Sequence, residues 1–415
     1  MLARLKLSSV RAALPSTRSR PGASDGIGGV GLGSFSPALK VKLLVLQATP
    51  FCNIDCTYCY LPDRDSAARM SLPVIRAAIR NIIDSGLLSE RLSIAWHAGE
   101  PLAAGLEFYR QAFACIDSVV DGRYPVHHSI QTNAMLINRQ WCDLFAEHGV
   151  KVGVSVDGPA YIHDQNRKTR DGKGTHAKAM RGVGYLLRNA VPFHAIAVVT
   201  AASLQHPDEI FEFFLTEGFR EVGFNIDERE GERRHSTIGR EQEHGFELFL
   251  QRMLERSIAA DCRLRIREVD EARKVILRGL EPVHIGGRRY PHNAQVLPLE
   301  ILTVDHAGNF STFSPELVGQ RRSEYNNFVF GNVLKDTLAS VFSNPHFLEM
   351  YRQVIAGVER CRLECEYFEL CGGGAPANKL YENGSFGSTE TVYCRNVVKA
   401  PLRLMLAHLE RRLLA

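Results

Sequence analysis

Residues 51–60 read FCNIDCTYCY and set three cysteines, Cys52, Cys56 and Cys59, within eight residues, directly after the apolar run KLLVLQATP. Three thiols cannot all pair with one another. The chain carries ten cysteines and no secretory signal, which points to reduced thiols; in a reducing compartment clustered thiols are more often metal ligands or catalysts than disulfides. A zinc site takes four protein ligands when structural, or three and an open position when catalytic. Three thiolates can also hold three irons of a 4Fe-4S cube and leave the fourth iron open to an outside ligand. The residue types by themselves admit both.

The surroundings of the trio set the fold. From Val41 onward short β-rich runs, KLLVLQ, RLSIAWHAG, HHSIQTNA, KVGVSVDG, FHAIAVVT and EVGFNID, alternate with amphipathic runs such as LPVIRAAIRNIIDSG and LEFYRQAFACIDSVV. Six strands with five intervening helices, ending near Asp227, predict an α/β fold with a parallel sheet. Six units fall short of the eight of a closed barrel, so the expectation is a partial (β/α)6 TIM-like barrel, with its chemistry at the carboxyl ends of the strands. The trio follows the first strand and therefore lies at that mouth.

Four segments are expected: a disordered leader at 1–40, the partial barrel at 41–235, a bridging region at 236–300, and a C-terminal cysteine-rich domain with a final helix at 301–415. The leader is Arg- and Ser-rich, then Gly-rich; its composition fits a disordered arm or an over-extended start, with a transit-type targeting segment as the alternative. Six basic residues and one acid give it +5 of a total of +4, which leaves −1 for the body. The body is thus not a nucleic-acid binder by charge. No apolar run reaches the roughly 18 residues of a spanning helix, so no membrane span is expected, and a cytoplasmic setting suits the thiols.

Cys-x3-Cys-x2-Cys with an aromatic residue, Tyr58, before the last cysteine, placed after strand one of a βα barrel pattern, resembles the motif of radical S-adenosylmethionine (SAM) enzymes. That resemblance implies a 4Fe-4S cluster on Cys52, Cys56 and Cys59, with SAM bound to it. The stretch Ala98-Gly99-Glu100-Pro101 looks like the family's Gly-Gly-Glu-Pro segment, so Gly99 and Glu100 are expected at the SAM amino group. Gln131 and Asn133, at the end of strand three, are expected near the ribose. SVDGPAYIHDQNR resembles the anaerobic sulfatase-maturing branch, whose matching Ser and Arg contact SAM; here they are Ser155 and Arg167. A guanidinium suits a carboxylate because it donates two parallel charge-assisted bonds.

A second group, CRLECEYFELCGGG with a later YC, supplies Cys361, Cys365, Cys371 and Cys394. It resembles the SPASM extension of radical SAM peptide-modifying enzymes, in which such thiols hold an auxiliary 4Fe-4S cluster; a structural zinc knot is the other use of four thiolates. The extension often carries a second auxiliary cluster, but the hairpin GNFSTFSPE and the stretch GGGAPAN lack the cysteines for it, so one auxiliary cluster is expected. Cys115, Cys142 and Cys262 read as plain core thiols.

Read together, LQATPFCNIDCTYCYLPDR, WHAGEPL, QTNAMLIN, GVSVDGP, GNFSTFSPEL, GNVL and CGGGAPANKLYENG resemble the GrrM/OscB-type maturases, radical SAM/SPASM enzymes that form cyclophane crosslinks in glycine-rich ribosomal peptides. The resemblance implies a bond between an aromatic ring carbon and a side-chain Cβ of one peptide, and a proton acceptor, for which Glu316 at the hairpin is the candidate. It also implies a glycine-rich precursor peptide and a flavodoxin- or ferredoxin-type electron donor as partners. An anaerobic sulfatase-type maturase and a thioether-forming peptide enzyme are the nearest alternatives. A metal-binding scaffold with a vestigial SAM site is the alternative from another class.

Overall fold

The computed structural model describes residues 30–414 apart from 232, 234, 240 and 241. It opens with a two-residue strand, β1 (Phe35–Ser36), followed by β2 (Leu43–Leu46), β3 (Leu92–Trp96), β4 (Val126–Thr132), β5 (Lys151–Ser155), β6 (Phe193–Val199) and β7 (Glu221–Ile226). The six from β2 to β7 are parallel, and sequence neighbours are sheet neighbours, with Leu44 beside Ile94 and Ile94 beside His128. Between them run α1 (Leu72–Asp84), α2 (Leu106–Val120), α3 (Arg139–Glu147), α4 (Ala160–Asn166), α5 (His176–Arg188) and α6 (Pro207–Thr216). Each expected helix is present. The short α4 is an addition inside a stretch whose polar residues hid its period.

The local causes are ordinary. In α1 a proline in the first turn suits the helix start, and Val74, Ile75, Ala78, Ile79 and Ile82 form one buried stripe against the sheet. Asn138 caps α3 by accepting from Trp141 N–H. β5 is buried along Val152, Gly153 and Val154, as a parallel strand covered on both faces should be.

Beyond β7 come α7 (Glu243–Ala259), β8 (Arg265–Ile266), α8 (Arg267–Arg278) and the hairpin β9 (Pro282–Ile285) with β10 (Arg288–Pro291). Next are β11 (Ile301–Val304), β12 (Asn309–Thr312), β13 (Gly331–Asn332), α9 (Pro345–Glu364), α10 (Phe368–Cys371), α11 (Pro376–Asn383) and α12 (Ala400–Leu414). β11 pairs parallel with β2, Ile301 beside Leu43 and Val304 beside Leu46, so one open ten-stranded sheet runs β13-β12-β11-β2 and on in order to β8. The barrel and the C-terminal segment therefore share a sheet, and one apolar core runs through both.

The leader reading needs one correction. Residues 1–29 lie outside the described residues, but 30–40 are packed: β1 pairs antiparallel with β9, and Val30, Phe35 and Leu39 are buried in the core. Gly/Ser-rich composition concealed those three apolar anchors. Among the described residues no helix is long and apolar enough to cross a membrane.

Candidate functional site

The loop after β2 holds the first cysteine trio and is tied down by its backbone. Asp55 N–H donates to Lys168 O at 2.7 Å, Thr57 N–H to Asn166 O at 3.0 Å, and Cys52 N–H to Arg64 O at 3.0 Å. All three thiols face a cavity of about 590 Å³. Burial, with some mutual repulsion, raises the thiols of Cys52 and Cys56, the latter to about 12. Thiolates here therefore require a positive partner such as iron.

The ends of the next strands meet the same cavity. Gly99 has φ +89°, and a Cβ there would stand 2.4 Å from Thr49 O and 2.9 Å from both Pro50 O and Phe51 O. Only glycine lets the end of β3 lie against the cysteine loop, and Glu100 N–H completes that contact by donating to Phe51 O at 2.7 Å. The Glu100 carboxylate is buried and accepts from Leu102 N–H (3.0 Å), Thr132 Oγ1 (2.7 Å) and Asn133 N–H (2.8 Å). Burial pushes its carboxyl up to about 7 against the pull of those bonds. Gln131 Nε2 donates to Ser155 Oγ at 2.9 Å, and Asn133 Nδ2 to Asn53 Oδ1 at 2.6 Å.

Arg167 is placed differently from the expectation that it clamps a ligand carboxylate with both arms of its fork. Its Nε and Nη2 donate to Asp157 Oδ2 and Oδ1 at 3.0 and 2.9 Å, and both side chains are buried. Nη1 is the part of the guanidinium not committed to Asp157. Tyr58 O–H donates to the same carboxylate at 2.5 Å, and Val198 N–H does so at 2.9 Å. Burial alone would raise the Asp157 carboxyl, but the charge and bonds of Arg167 hold it below the usual carboxylate range. Asp157 stood inside a quoted segment of the sequence without a role, because its partners are 10, 41 and 99 residues away.

Tyr58, Gly99, Glu100, Gln131, Asn133, Ser155, Arg167 and Glu316 all line the cavity with the cysteine trio. Glu316 arrives from the hairpin side. The chain turns at Phe313 (φ +78°), the Ser314 hydroxyl donates to Glu316 Oε2, and Gln320 Nε2 fixes the segment to Tyr60 O at 3.0 Å. Sequence reasoning gave Glu228 and Glu230 no role. Both line the cavity just past the end of β7. Burial pushes the Glu228 carboxyl up to about 8 and that of Glu230 well above its ordinary value. Their signal was position: acids directly after the last barrel strand.

The second cysteine group lies behind a wall of this cavity, which Leu370, Tyr393 and Val397 line. Cys361 is in the last turn of α9, Cys365 caps that helix, Cys371 ends α10, and Cys394 opens a wide π-type turn over Cys394–Lys399. Gly372, Gly373 and Gly374 follow with φ +70°, +109° and +77°, a run open only to glycine, and it brings Gly374 N–H to Cys371 Sγ at 3.2 Å. The Cys371 thiol senses Cys361 and Cys365, and that of Cys394 senses Cys371 and Cys365, so the four form one neighbourhood. Among the described residues no three His, Cys, Asp or Glu side chains are grouped to hold a single metal ion. The thiolates of a cube each bind a different iron and need no common centre. Four neighbouring thiols with a backbone donor to sulfur fit that group. Cys115 and Cys142 are buried as expected, whereas Cys262 is exposed, just beyond α7, and is not a core thiol.

Comparison with known proteins adds the following. Residues 46–214 match the model of the radical SAM superfamily. The chain is 41% identical over 397 residues to an uncharacterized protein of Synechocystis sp., covering 94% of this chain and 96% of that one. It is 33% identical over 184 residues to the serine-type anaerobic sulfatase-maturating enzyme of Klebsiella aerogenes, a match that spans 44% of this chain and only 45% of that enzyme. Among solved structures it resembles native anSMEcpe with AdoMet and a peptide bound, with a TM-score of 0.72 over 89% of this chain and 99% of that one. At 22% identity that likeness is one of fold.

Proposed function

We propose that this chain, whose residues 46–214 match the radical SAM superfamily, modifies a ribosomally made, glycine-rich precursor peptide, joining an aromatic ring carbon to a side-chain Cβ of the same peptide. The observation that carries the reading is a single cavity. It gathers the cysteine trio, the polar residues expected around SAM and several carboxyl groups, Glu228, Glu230 and Glu316 among them, with a four-thiol segment behind one wall. A cavity of about 590 Å³ with a few convergent polar groups has the size and character of a small-molecule site.

Cys52, Cys56 and Cys59 would hold one 4Fe-4S cluster, and Cys361, Cys365, Cys371 and Cys394 an auxiliary one. When bound, the first cluster and SAM would supply the radical chemistry that activates the side-chain Cβ, with a flavodoxin- or ferredoxin-type protein as the proposed electron donor. The chain's own task is placement. Glu100 and Asn133 close the mouth of β3 and β4, and Gln131 and Ser155 present their polar ends to the ligand. Joining the carbon radical to the ring leaves one proton and one electron to remove. Glu316 is the proposed proton acceptor, and Glu228 and Glu230, whose carboxyls burial pushes up, line the same cavity.

A second reading, oxidation of a Ser or Cys side chain to an aldehyde, draws on the likeness to the Klebsiella enzyme. The missing cysteines at GNFSTFSPE and GGGAPAN favour the crosslinking reading, since the sulfatase branch carries two auxiliary sets. Mass spectrometry of a glycine-rich peptide encoded beside this chain and co-expressed with it separates the two. Crosslinking removes two hydrogens per bond and suppresses backbone fragments between the joined residues. An aldehyde that reacts with a hydrazide overturns the proposal.

A further inference from the structure

Lys379 is 2% exposed, on α11, and lysine is rarely buried without a partner. Its Nζ donates to Cys361 Sγ at 3.3 Å. Among the described residues no carboxylate pairs with it, and the thiol sulfur is its one side-chain hydrogen-bond partner. A buried ammonium facing a neutral thiol pays its full desolvation cost with little return, whereas one facing a thiolate is compensated. Lys399, the other lysine near these thiols, shares Glu390 with Arg395. Of the two lysines, Lys379 is the one whose ammonium hydrogen-bonds a thiol sulfur. Its neighbour Asn378 points the other way, into the cavity, where Nδ2 donates to Glu228 Oε2 at 2.5 Å. Two consecutive residues of one short helix thus link the carboxyl groups of the cavity to the thiols behind its wall.

We propose that Lys379 is a positioning residue that raises the reduction potential of the iron-sulfur cluster on Cys361, Cys365, Cys371 and Cys394, and so makes it an electron acceptor. The inference rests on the reading of those four thiols given above. A reduced cluster carries one more negative charge than the oxidised one, and a fixed cation hydrogen-bonded to a ligand sulfur favours the reduced form. The electron balance is closed: the ring adduct of the substrate loses one electron to the oxidised cluster and one proton to a cavity carboxylate, and its aromaticity returns. Low dielectric around a buried lysine strengthens the effect.

The test is an EPR-monitored redox titration of the anaerobically reconstituted full chain, as wild type, Lys379→Met and Lys379→Arg. The expected result is two titrating clusters in each. In Lys379→Met one midpoint moves to a more negative potential while the other stays, and Lys379→Arg restores it. A merely structural role would not be rescued by charge in this way. Should Lys379→Met lose iron, Lys379→Gln, which keeps a donor without the charge, carries the same measurement. Unchanged midpoints in a fully loaded neutral variant overturn the proposal. Failure of the underlying reading looks different: wild type would then hold the iron of one cluster and show one EPR signal, which Cys371→Ala leaves unchanged, and there would be no cluster for Lys379 to tune.

Discussion

Tyr58 donates its phenolic hydrogen to Asp157 across 2.5 Å, and Arg167 donates to both oxygens of the same carboxylate. The residue before the third cysteine is thereby fixed to the end of β5 by a buried ion pair, 99 residues away in sequence. The arginine expected to serve a ligand serves first to hold this knot.

Removing the carboxylate should therefore be costly. Asp157→Ala leaves the Arg167 guanidinium buried and uncompensated, and the expected loss is about 3–5 kcal/mol. Urea denaturation of the anaerobic protein measures it. The double change Asp157→Ala with Arg167→Met removes both charges and should recover part of the loss; a double variant weaker than either single one would contradict this account.

Gly99 and Gly86 make a matched pair. Both have positive φ, but a Cβ at Gly86 meets nothing within 4 Å, while one at Gly99 collides with the backbone of the cysteine loop. Gly86→Ala should cost about 1–2 kcal/mol of backbone strain and leave iron loading intact. Gly99→Ala should cost more and lower iron at the first trio. Equal iron content in the two variants would show that the close approach does not position that loop.

His163 gives a pH signature. It is buried, with Nε2 paired to Thr175 Oγ1 at 3.0 Å, and burial lowers its ring to about 4 from 6.5. Between those values the unfolded chain binds a proton that the folded chain refuses, so this group's contribution to stability falls as pH drops from 6.5 to 4. The loss is on the order of 3 kcal/mol and levels off below pH 4. His163→Gln has no such proton to refuse. Stability curves of the two proteins across pH 7 to 4 should converge toward acid by about that amount; parallel curves would exclude the assignment.

Cys371→Ala should separate the two halves of the proposed reaction. 5'-Deoxyadenosine still forms, because the radical starts at the other cluster, while crosslinked peptide falls sharply for want of an electron acceptor. Loss of four thiolate bonds can also loosen the segment, and proteolysis with circular dichroism distinguishes that case. A folded variant that crosslinks at the wild-type rate would make the second cluster structural.

Much of this protein was legible in one dimension. Alternating periods near 2 and 3.6 placed β2 to β7 and the helices that the sequence predicted, because side-chain direction repeats locally with the backbone. The cysteine spacing and the strand-end residues Gly99, Glu100, Gln131, Asn133 and Ser155 followed from the same order, since parallel strands deliver their ends to one mouth. What only the tertiary structure decided are relations between distant residues: that β11 joins β2 and merges two expected domains, that Asp157 holds Arg167 and Tyr58, and that Glu228 and Glu230 line one cavity with Glu316. It also placed Lys379 against Cys361. The physical reason is common to all four. Burial and pairing depend on which surfaces meet, and a charged residue in a polar-looking run reads the same whether it faces water or the inside of a cavity.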